Sequence, residues 1–169
     1  SWSAAVAAAA PAVVNIFTGK RVTQRRNPML EDPLFQRFFG DALSTPEKRL
    51  ETSLGSGVIV SDAGHVLTNH HVIESADEIA VYLRDGTPLE AEVLGSDPES
   101  DIAVLTLPQG EYPAITIGNP ERLAIGDVVL AIGNPFGVGQ TVTQGIVSAT
   151  GRRQAGLDTL TRFIQTDAA

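Results

Sequence analysis

From residue 54 onward the apolar positions fall in short runs rich in β-branched residues, separated by clusters of Gly, Asp, Asn and Pro. Runs at 58–60, 65–68, 79–83, 89–94, 102–107, 128–132 and 141–149 have the length and composition of strands. The breaks between them, including Asp62-Ala63-Gly64, Arg84-Asp85-Gly86, Asp97-Pro98, Gly118-Asn119-Pro120 and Gly133-Asn134-Pro135, carry turn chemistry. Many short strands at this spacing predict an all-β sandwich or barrel. Helix is scarce. The Ala-rich stretch 3–10 reads as one short helix, with Ser3 as its cap and Pro11 as its stop.

Between residues 17 and 54 no period is evident, and Arg and Pro are frequent. A segment this long without a pattern is a functional loop or partly disordered. Within it Phe35, Phe38 and Phe39 form an aromatic knot, 33–40. Three Phe side chains so close together are costly to leave in water, so the knot is expected to dock on something. No repeat, heptad or low-complexity tract is present.

The length, 169 residues, matches about one domain. With 43% hydrophobic and 19% charged residues, the chain has enough apolar material for a core. Its 12 basic and 20 acidic side chains give a net charge of -8, and the acidity is concentrated in 51–150. That balance excludes a nucleic-acid partner, which needs a basic stripe to displace counterions. The absence of Cys removes disulfides, thiolate metal sites and a Cys nucleophile. The longest apolar stretch, 4–14, is too short to span a bilayer and contains Pro11. Because the sequence opens on Ser1, it reads as a processed or trimmed product, with any signal or membrane anchor expected upstream.

Three His occur, at 65, 70 and 71. His65 lies in a predicted strand and reads as an ordinary strand residue. His70 and His71 lie where a strand gives way to another structure, and strand ends are where scaffolds present catalytic groups. His70 and Glu74 are four apart and would share a helical face, but two ligands make a weak metal site. Asp101 stands just before an apolar strand, an ordinary place for a turn Asp. A His at one strand end and an Asp at another are also what a hydrolytic triad requires. The carboxylate accepts from Nδ1–H and leaves Nε2 free to take a nucleophile's proton.

The motifs Gly55-Ser56-Gly57-Val58-Ile59, Thr68-Asn69-His70-His71-Val72-Ile73, Ser100-Asp101-Ile102-Ala103-Val104-Leu105, Ala131-Ile132-Gly133-Asn134-Pro135-Phe136-Gly137 and Gln165-Thr166-Asp167-Ala168-Ala169 occur in that order. Together they resemble the HtrA/Deg family of trypsin-fold serine proteases. The resemblance implies a trypsin-like double β-barrel, the first barrel complete and the second partial. It would divide the chain into 1–110, with a long loop at about 18–53, and 111–169. It selects His71, which directly precedes the Val, as general base, with Asp101 orienting it. Gly55-Ser56-Gly57 matches a structural strand turn of the family and is not its nucleophile loop.

Members of that family continue past Gln-Thr-Asp-Ala into Asn-Pro-Gly-Asn-Ser-Gly-Gly, the source of the nucleophile and the oxyanion-hole amides. Residues 1–169 do not contain that motif, so the chain as written is expected to be inactive. The resemblance implies an envelope-associated endopeptidase in the periplasm, acting as a homotrimer on unfolded or regulatory proteins, with an inner-membrane anchor or a PDZ domain as further expectations. It assigns the knot around Phe35, Phe38 and Phe39 to contact with a neighbouring subunit. The loop 133–137 would border the active site. The stretch 151–162 would be a sensor loop carrying Arg152, for which a solvated turn is the plain alternative. No cofactor or metal is called for. A different class, an inactive fragment or pseudoprotease serving as a peptide-binding or chaperone-like module, is supported by the missing Ser. A Ca²⁺-binding β-module finds no alternating-ligand loop in the sequence.

Overall fold

The computed structural model describes residues 1–22, 49–133, 139–152 and 163–168. The chain starts with α1 (Ser3–Ala9) and a 3₁₀ turn (Ala10–Ala12) that takes up Pro11 near its start, where a missing N–H costs nothing. The expected Ser cap is not formed: Trp2 holds the cap position, and no side chain caps the helix.

Among the described residues seven strands follow: β1 (Val13–Val22), β2 (Arg49–Ile59), β3 (His65–Thr68), β4 (Glu78–Tyr82), β5 (Pro88–Glu90), β6 (Glu92–Asp97) and β7 (Ile102–Thr106). They form one sheet in the order β5-β4-β1-β2-β3-β7-β6. β1 was not expected, and β2 begins well before the predicted run at 58–60. The two pair antiparallel from Val13↔Val58 to Val22↔Arg49, so the long loop expected over about 18–53 is shorter at both ends. Ala12, Val14, Ile16 and Thr18 alternate inward, but Val13 and Phe17 between them are also apolar, which hides the two-residue period.

The sheet curls because its two edges are consecutive in sequence. β5 and β6 occupy opposite edges, yet only Ala91 separates them. The single strand expected over 89–94 is therefore bent at Ala91, which is buried and donates its N–H to the Ile79 carbonyl at 3.0 Å. One residue spans less than about 4 Å, so the edges must meet and the sheet rolls into a barrel. Its core holds Val14, Ile16, Ile59, Val66, Val81 and Leu105, all fully buried, with Ala103, Leu107 and their neighbours around them.

Gly55-Ser56-Gly57 lies inside β2, paired with β1, and not in a turn. A Cβ on Gly57 would lie 2.8 Å from both Ile16 and Val66, and one on Gly55 would lie 2.7 Å from Val72. These glycines make room for side chains of the barrel core.

Beyond β7 an extended segment runs back along the barrel, with Tyr112 N–H bonding the Asp62 carbonyl and Ile115 N–H bonding the Ile59 carbonyl. A second sheet, order β10-β9-β8, contains β8 (Val128–Gly133), β9 (Thr141–Arg152) and β10 (Phe163–Thr166). Among its described residues, Val147 and Ala149 are the buried ones. The mostly β architecture, a rolled sheet followed by a smaller one, fits the expectation of a double barrel whose second barrel is partial in this chain.

Candidate active site

The strand β3 ends at Thr68, whose hydroxyl donates to the Ser56 carbonyl at 2.9 Å and ties the strand end to β2. The chain then makes one helical turn, α2 (His70–Ile73). Val72 and Ile73 are buried in the barrel core, each contributing about 1.5–3 kcal/mol by leaving water. Burying those two turns His71 outward, with 67% of its side chain exposed. The turn ends at Glu74, whose ψ of 127° leaves the helical range, and Ser75 follows with a positive φ of 61°.

Asp101 arrives from the other side, one residue before β7. Its φ is 54°, in the left-handed region that Asp tolerates better than most side chains, at a cost of order 1–2 kcal/mol. Four hydrogen bonds hold it there. Its carbonyl accepts from His70 N–H and from the Asn69 side-chain amide, each at 3.1 Å. Its carboxylate accepts from His71 N–H at 2.9 Å through Oδ1, and Oδ2 lies 2.7 Å from His71 Nδ1.

A carboxylate only accepts, so Nδ1 carries the ring proton in this contact and Nε2 of the neutral ring is left as an acceptor. The His71 backbone N–H, and secondarily its side chain, hold the Asp101 carboxyl below the usual carboxylate range. Asp101 is therefore ionised at neutral pH, able to fix the imidazole's tautomer and to stabilise an imidazolium. Such a pair can accept a proton from a hydroxyl at Nε2 and later return it.

Of the residues singled out in the sequence, the fold brings His71 and Asp101 into contact. His70 turns the other way: its Nδ1 is buried without a hydrogen-bond partner among the described residues. His65 is a half-buried strand residue whose Nδ1 lies 2.6 Å from Ser61 Oγ. No cluster of three or more His, Asp or Glu side chains suited to a metal is found among the described residues. Arg152 ends β9, where the backbone position paired with it is Phe163. Phe35, Phe38 and Phe39, the loop residues 134–137 and the stretch 153–162 lie outside the described residues. Asn69 was not singled out from the sequence, where an Asn before a short helix reads as an ordinary N-cap; in the structure it makes no cap bond.

The chain is also similar to known proteins. Residues 55–169 match the trypsin-like peptidase domain. HhoA of Synechocystis sp., named as a serine protease, is 45% identical across 99% of the chain, which covers 44% of that protein. A Pseudomonas putida protein named "Probable periplasmic serine endoprotease DegP-like" is 44% identical across 95% of the chain, which covers 36% of it. Among solved structures, the HtrA-type protease AlgW with a decapeptide superimposes with a TM-score of 0.79 at 54% identity, over 99% of this chain and 51% of that one. The chain thus spans less than half the length of these two curated relatives.

Proposed function

Because the chain belongs to the trypsin-like peptidase family, we propose that it serves as part of an HtrA/Deg-type serine endopeptidase, with His71 as general base and Asp101 as the carboxylate that orients it. The observation that carries the reading is the 2.7 Å contact between His71 Nδ1 and Asp101 Oδ2, in a His whose ring is otherwise open to solvent. The nucleophile is the Ser of a Gly-Asn-Ser-Gly-Gly motif, which residues 1–169 do not contain. In this reading 1–110 form the first barrel domain and 111–169 the front of the second. The names of the relatives support a periplasmic location. The substrates are unfolded or regulatory envelope proteins, cut by a homotrimer in which Phe35, Phe38 and Phe39 meet a neighbouring subunit. Arg152, at the end of β9, leads into a loop that relays activating signals.

Sequencing the gene beyond the codon for Ala169 tests the nucleophile: the motif is expected there, and a gene without it would favour a peptide-binding or chaperone-like module. In the full-length protein, His71→Ala is expected to lower casein cleavage by about four orders of magnitude or more. Retained cleavage would reject His71 as the base.

A further inference from the structure

We propose that Asn69 is a positioning residue: its side-chain amide, by holding the Asp101 carbonyl, keeps Asp101 in the left-handed turn that aims the carboxylate at His71 Nδ1. The inference rests on the reading of His71 and Asp101 as base and orienting carboxylate.

Asn69 occupies the N-cap of α2, with extended backbone at φ -86° and ψ 145°. An Asn there ordinarily accepts a hydrogen bond from the second or third N–H of the helix. Here its side chain makes no such bond. The second helical N–H, that of His71, is taken by Asp101 Oδ1. The first, that of His70, is taken by the Asp101 carbonyl. Asp101 therefore caps α2 from across the site, and Asn69, released from that task, donates its amide back to the same Asp101 carbonyl at 3.1 Å. The acceptor is a carbonyl, so the Asn69 atom that meets it must be the nitrogen.

This exchange supplies what burial does not. The Asp101 side chain is 38% exposed, so it is not clamped by close packing on all sides. Its left-handed backbone relaxes unless surrounding bonds over-determine it. With only the His70 N–H on its carbonyl, the peptide plane could pivot about a single bond. A second donor fixes the plane, and with it the position of the Cα that carries the carboxylate. A small swing at the backbone is enough to separate Oδ2 from Nδ1, because hydrogen bonds weaken steeply with distance and angle.

The test uses Asn69→Ala and the near-isosteric Asn69→Asp, which replaces the donor with an acceptor facing a carbonyl, both in the full-length protein beside His71→Ala. Both Asn69 variants are expected to lower kcat about tenfold or more with KM changed less than about twofold, because the loss falls on the aligned base and not on substrate binding. The downfield proton signal of the His71 Nδ1–H should broaden or vanish in both while the rest of the amide spectrum is kept. If His71→Ala is inactive but the Asn69 variants keep both kcat and that proton signal, the positioning role is overturned and the pair itself stands. If His71→Ala stays active, the reading of the pair fails, and this inference falls with it. Should the Ala variant not fold, the Asp variant decides by the same two readouts.

Discussion

The rolled sheet β1 to β7 and the smaller sheet β8 to β10 have similar sequence character, short β-branched runs between turns, yet they reach different ends. The first joins its own edges through Ala91 and buries Val14, Ile16, Ile59, Val66, Val81 and Leu105 completely. The second, among the described residues, buries Val147 and Ala149 and leaves Val128, Val142, Ile146, Phe163 and Ile164 exposed. The difference lies in closure and not in hydrophobicity. A sheet whose edges meet encloses the side chains of its inner face, whereas three strands in a row have no opposite wall. The candidate catalytic pair stands wholly on the closed sheet, on connections that leave β3 and enter β7.

The sharpest way to break this contrast is to truncate one Ile in each sheet. Ile16→Ala removes a fully buried side chain and should cost about 2–5 kcal/mol, whereas Ile146→Ala, at a position 42% exposed, should stay within about 0.5 kcal/mol in this chain. Chemical denaturation of the two variants against the parent chain checks this. Equal losses would show that the smaller sheet has a packed core of its own.

Closure was also the part of the fold least legible in the sequence. The runs at 65–68, 102–107 and 141–149 announce their strands because β-branched residues fit a pleated surface. The bend at Ala91 has no comparable signature: 89–94 reads as one strand, and only pairing with both β4 and β7 divides it. β1 escaped for the opposite reason, being apolar on both faces at 13–14 and 16–17, so that burial rather than composition distinguishes inside from outside. At the site, the motif around His71 and Asp101 could be read directly. The positive φ of Asp101 and the bond from Asn69 could not, since both depend on two loops about thirty residues apart meeting in space.

A smaller effect is expected from Gly→Ala changes. Gly55→Ala places a methyl 2.7–2.8 Å from both Val72 methyl groups, next to His71, and overpacking of this kind costs about 1–3 kcal/mol. Because Val72 anchors α2, the change should also disturb the contact between His71 and Asp101, seen as loss of the Nδ1–H resonance. Gly133→Ala, on β8, meets Ser56 Oγ alone among the described residues, at 3.4 Å, an ordinary contact, and should be nearly neutral. If Gly55→Ala is tolerated as well, the closed sheet is less tightly packed around its site than its burial implies.

The smallest effect needs no substitution. Three carboxylates in or beside the turns of the closed sheet sit below their usual pKa range: Asp97 through the Ser100 hydroxyl and then the Glu99 N–H, Asp101 through the His71 N–H and then its ring, and Asp85 through Thr87. A carboxyl whose folded pKa is depressed stabilises the fold fully above its unfolded value, and that contribution is lost as pH falls through the folded one. The first barrel's connections should therefore loosen below about pH 4 and be unaffected between about pH 5 and 7 by these groups. All three are open to solvent, so screening keeps each contribution small. Amide exchange at low pH should show faster opening at 97–101 and at the start of α2, ahead of the paired amides of β8 and β9. Asp97→Asn should blunt that acid response at 97–101, since it removes the charge while keeping the shape. An acid response equal in both sheets would mean that these three carboxylates do not govern it.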